Sequence, residues 1–131
     1  MGNKLITDAG KTELLRLGFS REEAGGAFKY IALGGANSQG STGGEFKEVS
    51  GSNYERVKTE ADVKNKTITI TGTFNEENYA PVDGEGLIKE IGLCNNDVGG
   101  SEKIFFLFSD VAEVYKTGDI SLEYTIIISI D

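Results

Sequence analysis

Asp119-Ile-Ser-Leu-Glu-Tyr-Thr-Ile-Ile-Ile-Ser-Ile-Asp131 places an apolar residue at every second position: Ile120, Leu122, Tyr124, Ile126, Ile128 and Ile130. Ser121, Glu123, Thr125 and Ser129 alternate with them, and Ile127 alone breaks the polar side. Side chains repeat every two residues along a β-strand. The run therefore predicts a strand with one face in a core and the other toward solvent or a neighbour. Burying a large apolar side chain contributes roughly 1.5–3 kcal/mol, against a net stability of roughly 5–15 kcal/mol. Loss of this strand is predicted to unfold the protein.

The same pattern recurs upstream. Thr67-Ile-Thr-Ile-Thr-Gly-Thr-Phe74 alternates threonine with Ile68, Ile70 and Phe74, and Asn65-Lys66 makes a tight turn back to a strand around Tyr54–Val63. Phe28–Leu33, closed by Gly34-Gly35, reads as a first strand, and Leu87–Cys94 as another. Ile104-Phe-Phe-Leu-Phe108 is the densest apolar run. Continuous apolar character predicts cover on both faces, by another layer or another subunit. Val111–Tyr115 is a short extended piece, and Lys116-Thr-Gly-Asp119 turns the chain into the final strand. Thr7 is suited to cap a helix over Asp8–Leu17, with Leu14, Leu15 and Leu17 as its apolar side and Gly18 just past its end. The remaining stretches, chiefly Asn37–Gly44 and the acidic Asn75–Gly86, read as loops. The expectation is one domain over residues 1–131: a helix at 8–17, then a mainly β (α+β) body at 28–131. That body is predicted to be an antiparallel sandwich or flattened barrel of six to seven strands.

Composition limits the chemistry. The 131 residues carry a net charge of −8, which disfavours nucleic acid as a partner. Eighteen glycines in clusters point to turns, and no run approaches the ~20 apolar residues of a membrane span. The start, Met1-Gly-Asn-Lys-Leu-Ile6, lacks the apolar core of a signal peptide, so a cytoplasmic origin is expected. With no histidine, Ser-His, Cys-His and His-metal arrangements are ruled out. Cys94 is the lone cysteine and reads as a structural thiol. The carboxylate pairs Glu22-Glu23, Glu76-Glu77 and Asp83/Glu85 read as solvated loops rather than a glycosidase pair. Asn95, Asn96 and Asp97, or Asp83 and Glu85, offer oxygens to a cation, but turns favour the same residues. No catalytic, metal or cofactor site is expected. Tyr30, Tyr54, Tyr79, Tyr115 and Tyr124 read as packing residues before they read as a sugar groove.

The order of short segments carries a further signal. Ile6-Thr-Asp-Ala-Gly-Lys-Thr-Glu-Leu-Leu15 is followed by Tyr30-Ile-Ala-Leu-Gly-Gly35 and Glu48-Val-Ser-Gly-Ser-Asn-Tyr-Glu-Arg56. Then come the threonine-rich strand, Ile88-Lys-Glu-Ile-Gly-Leu93, an aromatic strand and the Lys-Thr-Gly-Asp return. This order resembles the small bacteriophage virion proteins known as tail fibre or tail-collar fibre proteins, over nearly the whole chain. The family's aromatic-rich stretch before the Ile-Gly-Leu strand is replaced here by Val82-Asp-Gly-Glu-Gly86. The resemblance implies a non-enzymatic structural subunit of the virion, assembled in the host bacterium at the tail, baseplate or collar. A capsid-associated head fibre or decoration protein is the variant reading, and a host-surface glycan-binding module the competing class. It further implies a homo-oligomer, most simply a trimer, with other virion proteins as partners and no insertion into a membrane. Phe105, Phe106 and Phe108 are then the expected intersubunit face, with Tyr54 and Arg56 as packing and polar anchors.

Overall fold

A computed structural model describes residues 7–19, 27–35, 47–82, 84–95 and 105–130. Helix α1 spans Asp8–Phe19 and is followed by seven strands: β1 (Tyr30–Gly34), β2 (Val57–Lys58), β3 (Glu60–Lys64), β4 (Thr67–Phe74), β5 (Leu87–Cys94), β6 (Phe105–Tyr115) and β7 (Leu122–Ser129). They form two antiparallel sheets, ordered β2-β1-β5-β6 and β3-β4-β7. The chain is a mainly β sandwich, as the strand spacing predicts.

The threonine strand fixes the smaller sheet. Asn65 adopts a left-handed φ of 55° in the hairpin turn. Val63 then pairs with Ile68 and Ala61 with Ile70, so the apolar residues of β3 and β4 share the inner face. On the other side of β4, Ile70 pairs with Ile126 and Ile68 with Ile128. Across the sandwich, Ile31, Leu33, Ile88, Ile91 and Leu93 complete a core with Ile68, Ile70 and Phe74. Gly72 sits under close cover from the other sheet: a Cβ there would come within 2.8 Å of Ile31 Cδ1 and 3.2 Å of Val57 Cγ2.

Several boundaries differ from the sequence reading for identifiable reasons. The expected strand around Tyr54–Val63 is broken at Thr59, whose N–H and hydroxyl both donate to the Lys29 carbonyl, at 2.7 and 3.0 Å. That bond lets β2 stay in one sheet while β3 enters the other. The first strand starts at Tyr30 rather than Phe28, and the two pieces after Ile104 merge into the single strand β6. Helix α1 runs through Gly18 to Phe19, two residues beyond its expected end. Phe19 is buried, and its ring packs against Phe28 and Phe106 at centroid distances of 5.9 and 4.8 Å. Gly18 stays helical, and its carbonyl accepts from the Phe28 N–H at 2.7 Å. The helix start is as read: Thr7 Oγ1 accepts from the Gly10 N–H at 3.0 Å, the N-cap bond. Of the expected apolar side only Leu15 is buried; Leu14 and Leu17 are exposed.

The final strand has the two faces its pattern predicts, with its inner side chains packed against the core. Its alternation is correct, but Leu122, Tyr124, Ile126 and Ile128 are only half-buried. β7 is a sheet edge, and among the strands the fully buried side chains belong to β1, β4 and β5.

Candidate functional site

Three features stand out as places where the chain does more than pack: a buried polar clamp, a buried lysine and an open groove between sheet edges. The clamp comes from the segment before β2. Lys47–Val49 runs beside the end of β1, with the Gly35 N–H donating to the Lys47 carbonyl and the Val49 N–H to the Leu33 carbonyl, at 2.9 and 3.0 Å. Gly51, Ser52 and Asn53 then take left-handed φ values of 76°, 49° and 62°, and this turn swings Tyr54 and Arg56 back onto Glu48. Arg56 forks both carboxylate oxygens of Glu48, Nε to Oε2 and Nη2 to Oε1, each at 2.8 Å. The Tyr54 hydroxyl donates to Glu48 Oε2 and accepts from the Leu33 N–H at 3.1 Å. Burial, together with the bond and charge of Glu48, pushes the Tyr54 phenol far above its ordinary range. The bonds to Glu48 likewise hold Arg56 firmly protonated, and Cys94 lies near enough to add to that effect.

Lys116 forms the second feature. Its side chain is fully buried, and Nζ donates to the carbonyls of Tyr79 at 2.8 Å, Thr117 at 2.7 Å and Glu76 at 3.4 Å. Three acceptors match the three N–H groups of an ammonium. Loss of hydration lowers the lysine's pKa, partly opposed by the charge of Glu76. The bonds pin the loop after β4 to the β6–β7 connection. The same loop is tied to the clamp: the Ala80 N–H donates to the Ser52 carbonyl at 3.0 Å, and the Tyr54 and Tyr79 rings meet edge-on at 5.6 Å. The acidic loop is thus anchored inside the protomer.

Opposite the β2–β3 crossover the two sheets do not close on each other. Ile91, Leu107, Val111, Tyr124, Ile126 and Ile127 line a groove of about 620 Å³ between the β6 and β7 edges, with Asp110 at its rim. The Tyr124 hydroxyl is buried without a hydrogen-bond partner, and burial raises its pKa.

The chain matches no family model, no curated protein and no solved structure.

Of the residues singled out in the sequence, Tyr54 and Arg56 meet at Glu48 as polar anchors. Arg56 is only 5 % exposed and is bonded to Glu48 within the chain. Phe106 is 48 % exposed on the edge strand β6, so the continuous cover expected for its run is not supplied by the protomer at that ring. The backbones of Phe105 and Phe108 lie in the same strand, but their side chains are outside the described residues. Cys94 is wholly buried at the end of β5. Tyr79, the loop residue a sugar site would need, is buried as well, whereas Tyr115 is exposed. Asn96, Asp97, Asp83 and the loop 37–44 lie outside the described residues. Among the described residues no three metal-ligating side chains gather, and no helix is long and apolar enough to cross a membrane. Sequence reasoning missed Lys116 and the buried Glu90. A lysine in a Lys-Thr-Gly-Asp turn reads as solvated, and nothing local betrays the carbonyls of Glu76 and Tyr79 waiting for it.

Proposed function

We propose that the chain is a structural virion protein of a tailed bacteriophage, an oligomeric fibre or adaptor subunit at the tail, baseplate or collar. One observation carries this reading: the described segments that give the resemblance build the strands and the clamp of the sandwich, and of these segments only Ile91 and Leu107 also touch the groove. Tyr30–Gly35 and Ile88–Leu93 lie in neighbouring strands, and the Glu-Tyr-Arg segment is the clamp that fastens residues 47–56 onto β1. Such a set maintains a rigid β body, and a virion subunit needs rigidity and repeating surfaces more than a reactive group. The burial of Tyr79 weighs against the glycan-binding alternative.

Immunogold labelling of intact particles from the source strain tests the proposal. Label at the tail tip, baseplate or collar is the expected result. Label over the head moves the protein to the head-fibre or decoration class. Particles without label overturn the virion reading.

A further inference from the structure

Among the described residues four strands lie at sheet edges: β2 and β6 in one sheet, β3 and β7 in the other. An edge is a row of unpaired N–H and C=O groups that recruits another strand unless shortness, charge, proline or a bulge prevents it. β2 is two residues long. β3 carries Glu60, Asp62 and Lys64 on its outer side, and β6 exposes Asp110 and Glu113 and is bulged against β5. β7 has none of these protections. Its eight residues hold a single charge, Glu123, no proline and no register shift against β4. Ile127 stands 66 % exposed in its outer row. Along the outer face of this sheet, charge falls away from β3, through the threonines of β4, to almost nothing at β7.

We propose that β7 is a self-association edge, and that its occupant is β7 of a second copy of this chain, antiparallel about a two-fold axis. The strand's own residues choose the register. With Ile126 opposite Ile126, Tyr124 meets Ile128, Thr125 meets Ile127 and Glu123 meets Ser129. Inner apolar side chains stay on the inner face, Ile127 gains a partner, and the two Glu123 carboxylates stand six residues, about 20 Å, apart. Centring on Ile127 instead would set Glu123 against Asp131, a pair of like charges; centring on Thr125 would set it against Ile127. On a chain of net charge −8, this acid-poor edge lets two copies meet without opposing carboxylates. The product is a six-stranded sheet, β3-β4-β7-β7-β4-β3, that also covers the mouth of the groove at Tyr124 and Ile126.

The contact is two-fold, unlike the trimer the resemblance implies, and it rests only on the oligomeric part of the proposed function. A chain that labels particles but is a monomer or trimer in solution removes the β7 contact and leaves the virion reading standing. A β7 dimer that labels no particle does the reverse.

Sedimentation velocity of the full chain over a wide concentration range is the test. The expected species has twice the 14.1 kDa protomer mass. Thr125→Lys combined with Ile127→Lys sets lysines opposite each other in both copies, at solvent-facing positions. It should weaken the dimer at least about tenfold with unchanged circular dichroism. Ile126→Cys should cross-link to itself under mild oxidation, and Ile128→Cys, which faces Tyr124, should not. This comparison stands even if the lysine variant does not fold. A wild-type monomer or trimer, a dimer indifferent to the lysines, or equal cross-linking at 126 and 128 overturns the proposal.

Discussion

Arg56 and Glu48 are worth more as a pair than either is alone. The Arg56 and Glu48 side chains are 1 % and 17 % exposed, and their fork leaves little for water to do. Removing one member strands the other, and a broken buried pair costs about 3–5 kcal/mol. Arg56→Ala should therefore lower the unfolding free energy by that amount, read as a fall in the urea midpoint with little change in slope. Arg56→Lys should recover only part of it, because an ammonium cannot fork both oxygens. Tyr124 predicts the opposite sign. Its hydroxyl is buried without a partner, so Tyr124→Phe should stabilise by about 1 kcal/mol. The same residue bears on alkaline stability. Tyr54, Tyr79 and Tyr124 all have phenols raised above the ordinary 10.0, in each case first by burial. A raised pKa keeps the folded phenol protonated while the unfolded one ionises, so stability is full below pH 10 and falls as pH climbs past it. Lys116, lowered from 10.5 by burial, acts in the other direction, since its folded form sheds its proton first. Three falling contributions against one rising predict net loss above pH 10. Urea titrations across that range should show a shallower decline for Tyr124→Phe than for the parent.

At the level of elements, the loops after β4 and β6 meet where Gly86 precedes β5. A Cβ at Gly86 would run into the backbone carbonyl of Lys116 and sit 2.5 Å from Pro81 Cγ. Backbone cannot rotate away as a side chain can. Gly86→Ala should therefore destabilise by more than the roughly 1–3 kcal/mol of an ordinary overpacked site, and more than Gly72→Ala, whose close neighbours are side-chain methyls of Ile31 and Val57 rather than backbone. Thermal melts of the two variants, read side by side, check that order. These contacts also mark the limit of what could be read from sequence. The β4 strand was legible residue by residue, because strict alternation and an Asn-Lys turn leave one register open. The helix end was not, because Phe19 is drawn into an aromatic cluster by Phe28 and Phe106, and that tertiary contact overrides the glycine before it. The break at Thr59 and the burial of Lys116 depend on carbonyls donated by segments 30 and 37 residues distant. Local pattern carries no trace of such partners. Glu48, Tyr54 and Arg56 were visible as a motif, yet their meeting depends on three successive left-handed residues that composition alone does not dictate.

Whether the sandwich and its clamp open together is a property of the whole molecule, and Cys94 offers a direct reading of it. It is the chain's sole cysteine, it ends β5 between β1 and β6, and it is wholly buried. Its Sγ lies 3.6 Å from the Tyr30 carbonyl, and it sits close enough to Arg56 to bear on its charge. A reagent can reach it only through opening, so the labelling rate divided by that of the unfolded chain gives the opening equilibrium. If the clamp segment belongs to the same cooperative unit as the sheets, labelling in water should be slowed by the full folding constant, on the order of 10³ or more. The opening free energy should then fall with urea along the same slope as global unfolding. Fast labelling with little urea dependence would instead mean that the segment before β2 lifts off by itself while the core stays packed. Arg56→Ala separates the two: under global opening it speeds labelling only by as much as it lowers overall stability, whereas under local opening labelling outruns that loss.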